Sequence, residues 1–303
     1  MPLDLHLLPK LRDSLSYLYI EHAIIDRSQS AIEFINQEGH VLVPIAALCV
    51  LMLGPGTSIS HAAIKVLSEN GCTVLWVGEE CTRFYAQGLG ETRKGYHLLK
   101  QAELVCDPQK HTQVVQAMYR KRFKERVDPA LTLPQLRGME GARVRQAYSA
   151  ASIEFHVAWS RRNYDMTNWN HGDPINRALS SANALLNGIC HAAIVSGGYS
   201  SGLGFIHTGR QLSFVYDIAD LYKVEFSIPI SFQTVGESPV SVESRVRATC
   251  RERFRESKLL DRILPDIDEL LGIQDGIDLA EEDPYPDLDA LRWEELREDG
   301  VPT

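Results

Sequence analysis

Up to about residue 86 the apolar positions come in short runs rich in Ile, Val and Phe, such as SAIEFIN (30–36) and GHVLVPIAAL (39–48), divided by Gly and polar turns. That pattern predicts strands. Within it ISHAAIKVLSEN (59–70) predicts one helix, and CTVLWVG (72–78) followed by TRFYAQG (82–88) predicts a hairpin turning around Glu79 and Glu80. QGLGETRKG (87–95) is expected to be a linker, and beyond it the apolar spacing becomes helical. The clearest helix opens at Asp173-Pro174, an N-cap followed by a residue suited to the first helical position, and repeats Ile175, Leu179, Ala182, Leu186, Ile189 and Ala193 before Gly197-Gly198. A second opens at Pro134 and carries Val144, Ala147, Tyr148, Ala151 and Phe155 on one face.

Stepping that face back by four residues places Glu140 on an apolar stripe, flanked by Gly138 and Gly141, where backbone or a ligand has room to come close. Two readings fit: a carboxylate aimed at a site, or a Glu favoured by the helix dipole or paired with Arg143 or Arg145. HTGRQLSFVYDIAD (207–220) sets His207, Asp217 and Asp220 among apolar neighbours. Buried carboxylates require a cation or hydrogen-bond donors, and on a helix the i,i+3 spacing puts Asp217 and Asp220 on one face. A divalent metal and a set of ordinary donors both meet that need. GGYSSGLGF (197–205) has neither a GK[ST] nor a GxGxxG spacing. It is read as a flexible turn delivering His207, or as a plain connection between helices.

The length of 303 residues with 44% hydrophobic content is enough for one large or two ordinary domains with proper cores. The opening MPLDLHLLPKLRDSLSYLYI mixes charges into its apolar positions, so neither a signal-peptide core nor a membrane span is expected there, and a cytoplasmic location is. Six scattered cysteines without CxxC spacing are expected to be buried, reduced thiols. The formal charge of −9 is concentrated in residues 275–303, which hold eleven acidic residues against Arg292 and Arg297, so the rest of the chain is balanced. Within it basic residues bunch at 120–126, 137–145 and 245–255, either as phosphate-binding faces or as solvated helix surfaces. The tail is expected to be disordered by itself, yet carries Tyr285, Leu288, Leu291, Trp293 and Leu296, which points to docking on a partner.

Glu, His and Asp from separate segments make an oxygen and nitrogen donor set suited to Mg2+ or Mn2+, the chemistry that phosphodiester reactions require. Five blocks, GPGTSISHAAIKVLSENGCTVLWVGE (54–79), QLRGMEGARVRQAY (135–148), RRNYDMTNW (161–169), GDPINRALS (172–180) and GFIHTGRQLSFVYDIADLYK (204–223), resemble in order those of the CRISPR adaptation integrases, the Cas1 family, in their type I-E form. The resemblance spans nearly residues 1 to 260. It implies an α+β protein: a small N-terminal β-rich, β-sandwich-like domain (1–86), a linker (87–95), a larger all-α catalytic domain (96–274) and the acidic tail (275–303). It implies a cytoplasmic homodimer, without membrane, that joins the companion protein Cas2. The implied activity is that of a metal-dependent DNA endonuclease and integrase, acting on double-stranded DNA with unpaired 3′ ends and on CRISPR repeat DNA.

The resemblance carries metal ligation, by Mg2+ or Mn2+, to Glu140, His207 and Asp220, and an acidic role beside the metal to Asp217. It carries DNA contact to Arg83, Tyr164, Trp169, Arg210, Tyr216, Lys223 and Arg247. Three departures stand out: His22 where an enteric-type relative has a tyrosine wedging the duplex end, Ser58 in place of an arginine, and Asn187 in place of a tyrosine near the catalytic centre. The last speaks against a covalent tyrosine intermediate, which a DNA hydroxyl nucleophile does not need. A stand-alone nuclease for branched DNA and a non-catalytic DNA scaffold are the alternatives.

Overall fold

Two central strands with no polar alternation organise the first part of the chain. The structure is a computed structural model that describes residues 17–28, 31–37, 39–45, 48, 50–79, 84–88, 95–123, 127–128, 130–161 and 173–273. Every residue of β5 (Val50–Leu53) is buried, as are four of the five in β7 (Thr73–Val77). Such runs belong in the middle of a sheet covered on both faces. β5 and β7 pair in parallel, with β1 (Tyr17–Ile20) parallel outside β5 and β8 (Phe84–Gly88) antiparallel outside β7. The β7–β8 pair is the hairpin expected from 72–88. The second sheet runs β4 (Gly39–Pro44), β3 (Ala31–Asn36), β2 (Ile24–Ser28) and β6 (Ser58–Ile59). β3 buries Ile32 and Phe34 on one face, with the alternation of a half-covered strand.

The two sheets share a core with α1 (His61–Glu69): Ile25, Ile32 and Phe34 from one, Leu51, Leu53 and Val74 from the other, and Ala63, Val66 and Leu67 from the helix. The opposite face of the first sheet packs Val50, Met52, Leu75 and Val77 against Ala192. β8 ends at Gly88 and α2 begins at Gly95, so the strand runs two residues into the stretch expected as linker. The fold is α+β, β-rich at the N-terminus and mostly helical after it.

The helical part comprises α2 (Gly95–Cys106), α3 (Pro108–Lys121), α4 (Leu133–Glu154), α5 (Pro174–Ser196), α6 (Ser213–Tyr222), α7 (Ser227–Glu237), α8 (Val242–Glu256) and α9 (Leu259–Leu271). α5 is its axis, and α6, α7, α8 and α9 all pack on it. Fifteen of its 23 residues are buried, so the expected stripe widens until it wraps the helix. That burial accounts for its apolar composition, which is long and hydrophobic enough to cross a membrane but lies mostly inside the protein. Asp173 caps it by accepting from the Asn176 N–H at 2.8 Å, ahead of Pro174. α4 starts at Leu133 with Pro134 in its first turn, and Gln135 reaches back to the Thr132 N–H at 2.8 Å. Cys72, Cys190 and Cys250 are buried as expected, but Cys106 is exposed, because it is the last residue of α2 and faces away from the core. Cys49 and Cys81 lie outside the described residues.

Candidate functional site

Asp217, on α6, is completely buried at 0% exposure. Its carboxylate accepts from the backbone N–H groups of Phe205 at 2.6 Å, Ile206 at 3.1 Å and His207 at 2.9 Å, and from the His207 ring through Nδ1 at 2.7 Å. A buried charge is tolerable when donors fill its lone pairs, and here four do. The same carboxylate therefore shapes the loop and orients the imidazole, leaving Nε2 on the other side of the ring. It also holds the His207 ring protonated to higher pH than usual, with the hydrogen bond to Asp217 as the main cause, partial burial opposing it and Asp220 adding to it. The Tyr216 ring lies edge-on to the imidazole, 5.8 Å between centroids.

The glycine-rich loop is pinned rather than slack. Gln101, fully buried on α2, donates to the carbonyls of Ser200 at 3.0 Å and Leu203 at 2.9 Å, and accepts from the Ser200 N–H at 2.8 Å. At Gly204 an added Cβ would stand 2.2 Å from the His207 carbonyl oxygen and 2.7 Å from Ser213 Cβ, so only glycine lets the loop fold this tightly over α6. The flexible turn read from 197–205 is thus a fixed one that sets His207 against Asp217.

Glu140 is 7% exposed on α4, and Arg143 grips it with a two-pronged contact, Nε to Oε2 at 2.7 Å and Nη2 to Oε1 at 3.0 Å. The i,i+3 pairing read from sequence as one alternative is therefore present. Asp220, one turn beyond Asp217 on α6, takes the Lys223 ammonium at 2.5 Å. Asp217 and Asp220 do not share a partner: one serves the loop and the other faces the basic side chains. Glu140 and Asp220 do share one, Arg122, whose Nη1 stands 3.5 Å from Glu140 Oε1 and Nη2 3.7 Å from Asp220 Oδ2. Arg122 follows the end of α3 and is 8% exposed. Its role was not legible in sequence, where it sits undistinguished in the basic run at 120–126. Lys121, its neighbour, turns instead to Asp266 at 2.9 Å and Glu269 at 2.5 Å on α9. Among the described residues nothing lies within 4 Å of where a Cβ on Gly138 would stand.

Among the described residues no three His, Cys, Asp or Glu side chains stand close enough together to hold a metal ion. Glu140 and Asp220 are joined through Arg122. The donor types nonetheless fit a hard divalent cation: two carboxylates that already attract positive charge, and an imidazole whose Nδ1 is engaged by a carboxylate, the usual support of a ligating histidine.

Arg210 is exposed in the turn before α6, with its N–H donating to Ser213 Oγ at 3.0 Å, and Arg247 lies half-buried on α8. Arg83, Tyr164 and Trp169, as well as the tail from 275, lie outside the described residues. Of the departures, His22 is exposed with φ of 51° and Ser58 lies on β6. Asn187 borders a cavity of about 300 Å³ between β7–β8 and α5–α6, lined also by Leu75, Phe84, Tyr85, His191 and Tyr216. Asn187 Oδ1 and both ring nitrogens of His191 are buried without a hydrogen-bond partner among the described residues. The Phe84 ring covers His191 at 4.1 Å. Burial holds the His191 ring neutral, lowering its pKa to about 4. This cavity had no signature in the sequence, because its lining is drawn from four elements far apart in the chain.

Fold and site define an α+β protein whose helical part pairs the acids Glu140 and Asp220 with basic side chains and holds an imidazole on the buried Asp217. The family model described as CRISPR associated protein Cas1 matches residues 120–230, a span that contains Glu140, His207, Asp217 and Asp220. CRISPR-associated endonuclease Cas1 2 of Thermus thermophilus is 54% identical over 280 residues, covering 91% of this chain and 86% of that protein. CRISPR-associated endonuclease Cas1 of Geobacter sulfurreducens is 43% identical over 263 residues, 86% of each. A solved structure described as a TtCas1–DNA complex superposes with a TM-score of 0.76 at 54% identity, over 87% of this chain and 99% of that one. The chain belongs to the Cas1 family.

Proposed function

We propose that this Cas1 protein is a metal-dependent DNA endonuclease and integrase of CRISPR adaptation, of the type I-E form, in which the 3′-hydroxyl of a captured DNA fragment attacks a phosphodiester of the repeat. The observation that carries the reading is that Arg122 bridges Glu140 and Asp220, while the Asp217-oriented His207 ring feels the charge of Asp220. Glu140, His207 and Asp220 would hold the cation, Mg2+ or Mn2+, which when bound supplies charge for a phosphate oxygen and polarises the attacking hydroxyl. Asp217 fixes the imidazole so that Nε2 faces outward. Arg143 and Lys223, paired with the carboxylates, and the exposed Arg210 would hold the phosphates of bound DNA. Tyr216 beside His207 offers a ring on which an unpaired base stacks, and Arg83, Tyr164, Trp169 and Arg247 belong to the same DNA-contact set. With Asn187 in place of a tyrosine, the nucleophile is the DNA hydroxyl and no covalent enzyme intermediate forms.

The reading includes a homodimer joined to Cas2, a division into domains 1–86 and 96–274, and a tail at 275–303 that docks on the partner protein or near the fragment end. Support for DNA binding comes from the 54% identical relative solved as a DNA complex. The deciding experiment incubates the protein and Cas2 with duplex fragments bearing 3′-hydroxyls, supercoiled repeat DNA and Mn2+ or Mg2+, alongside E140A. Strand transfer that needs metal and is lost in E140A is expected. Joined products from E140A would overturn the reading in favour of a scaffold. Cleavage of branched DNA without any transfer to the repeat would favour the repair nuclease.

A further inference from the structure

Arg122 is a buried guanidinium with weak satisfaction. Its contacts to Glu140 and Asp220, at 3.5 and 3.7 Å, are longer than good hydrogen bonds, and its Nε and Nη2 find no hydrogen-bond acceptor among the described residues. Such a group is ordinarily expensive to bury. The Tyr119 ring, 5.1 Å from the guanidinium carbon, provides a cation–π contact that does not depend on the carboxylates. Neither carboxylate depends on Arg122 in turn: Glu140 keeps its fork to Arg143, and Asp220 keeps Lys223. The guanidinium is therefore a shared, loosely held and replaceable counter-charge to both acids.

We propose that Arg122 is a built-in competitor of the divalent cation, occupying Glu140 and Asp220 until the cation takes them. The proposal rests on the assignment of those two residues as ligands. Two positive groups drawn to the same oxygens oppose one another, so the arginine sets the metal concentration at which the site fills. It also keeps the acid pair neutralised when no metal is present, which makes the resting site tolerant of metal loss.

Mn2+ binding to the full-length protein, followed by the electron paramagnetic resonance of the free ion, separates the possibilities. R122M and R122Q are expected to bind Mn2+ about tenfold more tightly than wild type, and R122K, which keeps the charge, within about threefold of it. Equal or weaker binding by both neutral variants would overturn the competition and make Arg122 a support for the ligands. Binding by E140A equal to wild type would overturn the ligand assignment itself. A second readout needs no neutral variant. In wild type, the arginine side-chain N–H signal that disappears in R122K should shift as Mg2+ is added. A signal that stays fixed while Mg2+ binds would also overturn the proposal.

Discussion

The Asp217 carboxylate accepts the His207 Nδ1 at 2.7 Å while three consecutive backbone N–H groups, those of residues 205–207, close on its two oxygens. One buried acid thus fixes both where His207 starts and which way its ring faces.

In D217N an amide that donates on one side meets a ring of donors. The variant is expected to lose about 3 kcal/mol of stability through the broken set of charge-assisted hydrogen bonds. If the proposed activity is that of this protein, metal-dependent strand transfer should fall a further 10- to 100-fold, about the usual loss when a ligating histidine is deprived of its partner. Denaturant midpoints and transfer assays at a temperature where the variant remains folded check the two separately.

Gly204 leads to a sharper variant. The added methyl of G204A collides with the His207 carbonyl and with Ser213, so the loop must shift as a unit. A cost of about 1–3 kcal/mol is expected from overpacking. Mn2+ affinity should weaken as well, because the shift moves His207; unchanged affinity in a folded G204A would show that the loop does not position the ring.

His191 gives a pH dependence of stability. Buried and neutral, with its pKa lowered to about 4 in the folded protein, it takes up a proton more readily after unfolding, where the value is 6.5. The unfolded state then binds more protons between those values, so stability falls as pH drops from 6.5 towards 4, by on the order of 3 kcal/mol across the window. In H191L this part of the decline should vanish, and the difference between the two proteins, measured by urea unfolding at pH 7.5 and pH 4.5, reads it directly.

Removing metal should leave the fold intact. Glu140 and Asp220 retain Arg143, Arg122 and Lys223 as counter-charges, unlike the ligands of a structural zinc site, which unfold when stripped. Thermal unfolding in excess EDTA is expected within about 2 °C of the protein as purified without chelator, and a large drop would mean that a cation is part of the core.

The strand-rich beginning, the 72–88 hairpin and the α5 stripe were legible because each is a local repeat: short apolar runs, then i,i+4,i+7 spacing behind an Asp-Pro start. Glu140 was visible for the same reason, as a charge on an apolar stripe. What periodicity cannot show is pairing across the chain. Arg122 meets Asp220 from nearly a hundred residues away, and nothing in the run at 120–126 separates it from Lys121, which faces α9. The choice between metal ligand and ion pair at Glu140 was likewise open in the sequence, and the structure contains the ion pair. His191 drew no reading from the sequence, since the missing partners of a side chain leave no trace in composition.

Gln101 gives the active loop a place in the order of folding. Its three hydrogen bonds to Ser200 and Leu203 span 99 to 102 residues, and such contacts form only after the intervening chain has been closed into a loop. A chain emerging from the ribosome can coil α2 and α3 long before the segment that carries His207 exists. The loop that carries His207 is therefore fixed only after α2 has captured the 200–203 turn. A fragment that ends before α6 contains both halves of that latch but lacks Asp217, so the site completes only once α6 has joined it.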